Sequence, residues 1–325
     1  MERLARKIFN IAGDERVFQR SLAGAPDGPM RRRMEVIARS FGAGFRAALE
    51  EPRPTPLAAR LAQLPGMDPE LQVFAYEGAG LGLALLDAAT PWRPHRLRDF
   101  IAGAGSAQTY MLHAGSGWVL GRLPVSQRWF LSGLDPVLRW IAFDGLGFHE
   151  AFFHRSRIVE RARPPGRISG FALRPFDAGV GRRLWLVPRP DVSYIAPLVA
   201  AFPTHRHGDL WTGVGEACAM AGGRDGAAIE EVRQAAGPNY LSHLALGVSF
   251  AAEARALSGT ESPHVDLASR LLCRMDAAAA AAVARDALAD LPPDGEVPAF
   301  EVWRERVRER FRSKDVKSSP LPRLA

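Results

Sequence analysis

The segment from Ile141 to His154, IAFDGLGFHEAFFH, gathers more groups able to move a proton than any other part of the chain. Asp144, His149, Glu150 and His154 are the candidate catalytic residues. A carboxylate or imidazole removed from water has its pKa pushed toward neutrality, where it can both donate and accept a proton. Glu150 and His154 are four apart and share a helix face. His149 and His154 are five apart, so the order His-Glu-x-x-x-His lacks the i, i+4 histidine pair with which a helix holds zinc, and no metal is expected. Glu77 and Asp177 stand just before glycine pairs, as Asp144 does. Two accounts of these acids stay open. They are proton-transfer groups in a desolvated site, or they cap helix N-termini, where a carboxylate is favoured.

Other chemistries lack their residues. In FAYEGAGLGLALLD the third glycine of a dinucleotide fingerprint is replaced by Leu83, and no strand pattern precedes it. There is no Walker loop, Gly-x-Ser-x-Gly elbow, Cys-x-x-Cys pair or aspartate-rich diphosphate motif, so no cofactor is expected. THRHGD, with His205, His207 and Asp209, reads as a solvated turn.

The elements that would position these groups follow from a recurring glycine pair. It occurs at Gly42/Gly44, Gly78/Gly80, Gly115/Gly117, Gly145/Gly147, Gly179/Gly181 and Gly213/Gly215, with Gly247 standing alone as a second glycine. Successive second glycines are 36, 37, 30, 34, 34 and 32 residues apart. A period near 34 is the length of a helical hairpin repeat. A small residue stands four positions after the second glycine in every case except Gly181, and residues four apart share a helix face. Glycine in a helix costs about 1 kcal/mol relative to Ala, so its recurrence implies close approach of a neighbouring backbone. The fold expected is all-α: stacked antiparallel helical hairpins in one domain over residues 1–312, followed by a disordered tail over 313–325. RRLWLV from Arg182 and GRISGFAL from Gly166 are candidate short strands. Residues 155–175 read as a long loop, able to cover the Asp144 segment as a lid.

Four residues before the second glycine stands a ring in five repeats: Tyr76, His113, Phe143, Trp211 and His243. With Glu77 these are the candidate substrate-binding residues. A ring beside a glycine-floored groove suits a flat apolar ligand, and it equally suits ordinary helix packing.

Composition bounds the rest. The chain has 325 residues, is 47% hydrophobic and carries a net charge of +7, with 42 Lys and Arg. Only three of those are Lys, at 7, 314 and 317, which points to coding bias as much as to an acidic partner such as a carrier protein. No basic run is interleaved with aromatics, so nucleic acid is not expected. The longest stretch free of Asp, Glu, Lys and Arg, Phe100 to Gly121, holds five glycines and would make a poor membrane span. The charged N-terminal segment has no apolar core of a secretory signal, and Cys218 and Cys273 make no disulfide framework. A cytoplasmic location is expected.

The segments ELQVFAYEGAGLGLALLDAATPW, DPVLRWIAFDGLGFHEAFFH, DLWTGVGEACAMAGG and LADLPPDGEVPAFEVWRERV resemble a bacterial family of unknown function whose members accompany enediyne polyketide synthase cassettes. The resemblance covers residues 3–311. It implies an accessory role in enediyne biosynthesis, on an unsaturated polyketide intermediate held between helices, and it supplies neither a reaction nor catalytic residues. The alternative is a non-catalytic helical scaffold that docks an acyl carrier protein or another biosynthetic enzyme.

Overall fold

A computed structural model describes residues 22, 26–90, 92 and 95–315, the side chains of 313–315 excepted. Among them there is no strand. Seven long helices carry the glycines: α1 (Pro29–Glu50), α3 (Gln72–Ala89), α5 (Thr109–Arg122), α7 (Ile141–Phe153), α8 (Leu173–Trp185), α10 (Thr204–Ala221) and α12 (Leu241–Ser258). Each packs on the next in chain order. Between them lie α2 (Pro54–Ala62), α4 (Arg96–Ala102), α6 (Gln127–Ser132), α9 (Ile195–Ala200) and α11 (Gly226–Ala236). After α12 come α13 (Pro263–Ala268), α14 (Ala277–Asp286) and α15 (Ala299–Asp315). The expected disordered tail therefore begins inside α15, and its remainder lies outside the described residues, as do the N-terminal residues read for a signal.

The glycine contacts show why the long helices sit side by side. A Cβ on Gly80 would stand 2.5 Å from the carbonyl oxygen of Leu112, and one on Gly115 would stand 1.7 Å from that of Glu77. Each glycine thus meets the residue three before the other. The same reciprocal pair joins Gly44 and Gly78, Gly117 and Gly145, Gly147 and Gly179, Gly181 and Gly213, and Gly215 and Gly247. Backbones this close make Cα–H···O contacts, worth about 0.5–1 kcal/mol each. Gly78 meets Phe41 while Gly82, one turn on, meets Phe45, so α1 and α3 run parallel. Gly117 meets Ala142 and Gly121 meets His149 in the same sense along α5 and α7.

Two expectations change accordingly. The main packing joins parallel long helices, and the short segments between them are return connections more than equal hairpin partners. Gly247 abuts Thr212 of the preceding helix, as first glycines do, so it is a first glycine, and Ser249 takes the second position. Long helices flanked on both sides are apolar almost all round; α3 buries fourteen of its eighteen residues.

The row curls until its ends meet. Arg255, at the end of α12, donates to Met220 O on α10 and to Glu70 O (3.1 Å) ahead of α3, and Arg33 of α1 donates to Ala221 O (2.6 Å). Parallel alignment gathers negative helix C-termini, and Arg122, Arg182, Arg183 and Arg255 stand in the last turns of α5, α8 and α12.

The strand candidates are absent. Arg182–Trp185 form the last turn of α8, and their apolar–basic alternation misleads because all four are buried. Residues 166–172 are turn and a short 3-10 helix, and residues 156–160 form a π-helical turn, so the long loop is confined to 161–169. THRHGD opens α10 and is no solvated turn. Its Asp209 is buried because α15, which lies across α5, α8, α10 and α12, brings Arg304 onto it. Arg304 also bonds Glu301 (2.9 Å), and Arg174 joins Asp209 (3.1 Å) to Glu301 (2.6 Å). Arg304 is 2% exposed, and its loss would leave buried Asp209 with only the part-exposed Arg174 and take one of three cations from Glu301. Arg304→Ala is expected to cost about 3–5 kcal/mol. It should also make α15 an early site of limited proteolysis. Unchanged denaturation and cleavage would show that α15 is held by apolar contacts alone.

Candidate functional site

The inner face of the curled row is set by two positions, three before the second glycine and one after it. These are four apart and share a face. They comprise Phe41 and Phe45, Glu77 and Leu81, Ala114 and Trp118, Asp144 and Phe148, Ala178 and Arg182, and Thr212 and Glu216. All twelve line one of two cavities. The larger is a cleft of 490 Å³ among α1, α3, α5, α7 and α8, walled by Phe41, Phe45, Phe74, Trp118, Phe148, Phe152 and Phe153, with Glu77 and Arg182 also lining it. The smaller, 40 Å³, is capped by Phe300 and Arg304 of α15 and lined by Asp144, Thr212 and Glu216 among apolar residues.

Between the cavities lies a charged septum. Arg182, on α8, is 5% exposed and reaches three carboxylates. It donates from Nη1 to Asp144 on α7 and from Nη2 to Glu77 on α3 (3.1 Å), while Nε lies 3.7 Å from Glu216 on α10. Asp144 Oδ2 is buried with no hydrogen-bond partner. One cation therefore faces three acids in a medium that penalises charge.

Burial raises the Asp144 pKa against the pull of Arg182. Burial raises Glu77 likewise, and Asp144 adds to the rise. Glu216 is pushed up to about 8, first by burial and then by the Asp144 charge. Arg182 loses by burial and gains more from the three acids, so it stays a cation.

The remaining candidate residues line neither cavity. His149 is buried, its ring edge-on to Trp118 (centroids 5.3 Å apart), and burial lowers its pKa against the pull of Glu150. Burial would raise Glu150, but His149, His154 and Arg157 outweigh it and hold it low as an ionised partner. His154 is half-exposed. The ring stripe faces the connections and neighbouring helices. Tyr76 stacks on Phe100 of α4 (6.2 Å), Phe143 packs on Trp140 (5.8 Å), and Trp211 is core. His113 bonds Thr109 O (2.7 Å), and His243 lies by Tyr240 with its pKa lowered to about 3, chiefly by burial. Nor do the acids act as caps: Glu77 is in the second turn of α3, Asp144 bonds Arg182, and Asp177 bonds Arg206 through both oxygens (2.7 and 2.5 Å). Of the supposed lid only Pro175, already in the first turn of α8, lines a cavity, the smaller one. The rest is tied elsewhere, by Arg206 to Ala162 O (2.7 Å) and Gln127 to Arg167 O (3.3 Å).

Arg182 and Glu216 were not among the sequence candidates. Their signal was available: each follows a second glycine directly, where the other repeats carry Phe45, Leu81, Trp118 and Phe148. Charge in an otherwise apolar column is the mark of a buried polar site.

An all-helical fold whose parallel helices enclose an aromatic cleft floored by a shared ion cluster defines the class. The chain belongs to the family described as protein of unknown function (DUF1702), whose match spans residues 1–311. No curated protein and no solved structure matches it. Among the described residues, no helix is long and apolar enough to cross a membrane, and no group of His, Cys, Asp and Glu is arranged to hold a metal ion.

Proposed function

We propose that the protein binds a long unsaturated polyketide-derived chain in the aromatic cleft and serves as an accessory protein of enediyne biosynthesis. The observation that carries this is the cleft itself: 490 Å³, within the range of about 300–1,000 Å³ typical of ligand pockets, and walled by seven aromatic rings. Flat rings offer a conjugated chain face and edge contacts that a saturated wall lacks. The few polar groups at the floor suit orientation of one end of the ligand. Arg39 and Arg46 also line the cleft and are exposed, a place where the phosphate arm of an acidic carrier protein would find positive charge. The three acids converge on Arg182 at the floor of the cleft, with Glu77 lining it, and are not spread over an open surface, which favours this reading over a scaffold.

The test uses the methyl ester of a conjugated tetraene fatty acid, whose fluorescence rises out of water. The full chain is expected to bind it, with energy transfer from Trp118. Phe148→Asp places a charge in the wall and should weaken binding at least tenfold, while Trp118→Phe should keep binding and lose most of the transfer. Binding unaffected by Phe148→Asp, or no binding at all, would end this reading.

A further inference from the structure

We propose that Glu77, Asp144 and Glu216, gathered around Arg182, form a proton donor–acceptor site that opens on the cleft at Glu77 and acts on a neutral unsaturated chain. The inference rests on the cleft being the ligand site.

The geometry supplies each part. Arg182 spends its two terminal nitrogens on Asp144 and Glu77, leaving only Nε near Glu216, at 3.7 Å. The charged groups facing this cluster from the packed helices are Glu77 of α3, Asp144 of α7, Arg182 of α8, Glu216 of α10 and, farther off, Arg304 of α15. Arg304 is already committed to Asp209 and Glu301. Three ionised acids against one available guanidinium would leave two uncompensated negative charges inside the protein, so the cluster retains a proton. Glu216, the acid farthest from Arg182 at 3.7 Å and pushed up to about 8 chiefly by burial, has the weakest compensation and is the member readiest to hold it. Asp144, whose Oδ2 has no hydrogen-bond partner, and Glu216 border the small cavity, whose 40 Å³ is room enough for a water molecule, while Glu77 and Arg182 border the cleft. No hydrogen bond joins Glu216 to Asp144, and Arg182 stays a cation, so the acids are linked through their charges: the negative charge on Asp144 raises the affinity of Glu77 for a proton at the edge of the cleft.

This charge balance also selects the ligand. A carboxylate at the floor would add a further negative charge beside three acids, so the end that reaches Glu77 is hydrocarbon or a neutral carbonyl. The step this permits is redox-neutral. An acid proton adds to one carbon of a conjugated chain, a carboxylate removes a proton from another carbon, and the double bonds move between them. The acid is regenerated, and no oxidant or reductant is consumed. Glu77 is the catalytic residue in this scheme. Asp144 and Glu216 act through it.

Two measurements decide it. In the full chain labelled with carboxyl-13C glutamate, one carboxyl resonance is expected to titrate near neutral to mildly alkaline pH, to vanish in Glu216→Gln and to shift in Glu77→Gln. If every glutamate titrates in the ordinary acid range, the proposal is wrong whatever the cleft binds. The second measurement incubates the tetraene ester in D2O and follows its mass. Deuterium is expected to enter the chain with the parent protein, and Glu77→Gln should lower the rate at least a hundredfold while binding stays within threefold. Binding without deuterium uptake would overturn the proton role and leave the binding reading standing. Absence of binding would remove both, with the carboxyl titration still separating a held proton from a used one.

Discussion

Gly117→Ala is expected to destabilise the protein by about 3 kcal/mol, although alanine is the better helix former. Local propensity alone gives the opposite sign, a gain of about 1 kcal/mol. Steric contact decides the outcome. A Cβ at position 117 would stand 1.7 Å from the carbonyl oxygen of Ala142, a backbone atom that moves only if α7 moves. That helix carries Asp144 half a turn further on, so the substitution also pulls the carboxylate from Arg182. Gly42→Ala is the control. It is the first glycine of the first pair, and its Cβ would meet only the end of the Arg46 side chain at 3.5 Å. Gly42→Ala should be neutral or stabilising by up to about 1 kcal/mol. Denaturant midpoints of the two variants against the parent provide the comparison. A Gly117→Ala protein as stable as its parent would mean the long helices are not held at backbone contact.

That contrast shows how much of the fold was legible. Glycines that recur inside helices carry their own cost, so the close approach between successive long helices could be read from the residues. Their direction could not, because an i, i+4 stripe looks the same for parallel and antiparallel neighbours. The inner face was missed by one position. Tyr76 and Glu77 are adjacent in sequence yet about 100° apart around the helix, so Tyr76 meets Phe100 on the connection while Glu77 meets Arg182 inside. Asp144 and Glu77 were identifiable as candidates because acids beside a glycine pair are conspicuous. Arg182 was hidden in RRLWLV, whose alternation imitates a strand. The pairing of Asp209 with Arg304 joins residues 95 apart and depends on where α15 docks, which no local pattern records. The His149–Glu150–His154 group attracted attention by composition, yet Glu150 is already paired with Arg157, with His154 beside it at 3.2 Å, which leaves a structural ion pair.

Stability of the parent protein should fall as pH rises through neutrality, and Glu216→Gln should fall less steeply. The sign follows from proton counts. An unfolded glutamate has a pKa near about 4.3, while folded Glu216 is held up to about 8. Between these values the folded protein binds one proton more than the unfolded chain, so stability drops by about 1.4 kcal/mol per pH unit. The contribution is fully present below the unfolded pKa and is lost as pH passes the folded one, for a total of about 5 kcal/mol. Glu77 and Asp144 are raised by burial as well and act with the same sign. Glu150 and Asp209 are held low by their cationic partners, so their contributions are lost instead as pH falls through their folded pKa values. The parent should therefore be most stable in mildly acid solution. Glutamine at 216 keeps the side chain's size and removes its titration, so the curves of the two proteins should diverge most between pH values of about 5 and 8. Denaturant unfolding across that window measures the slopes directly. Parallel curves would mean that Glu216 is ionised in the folded state, and that Arg182 balances the three acids without a retained proton.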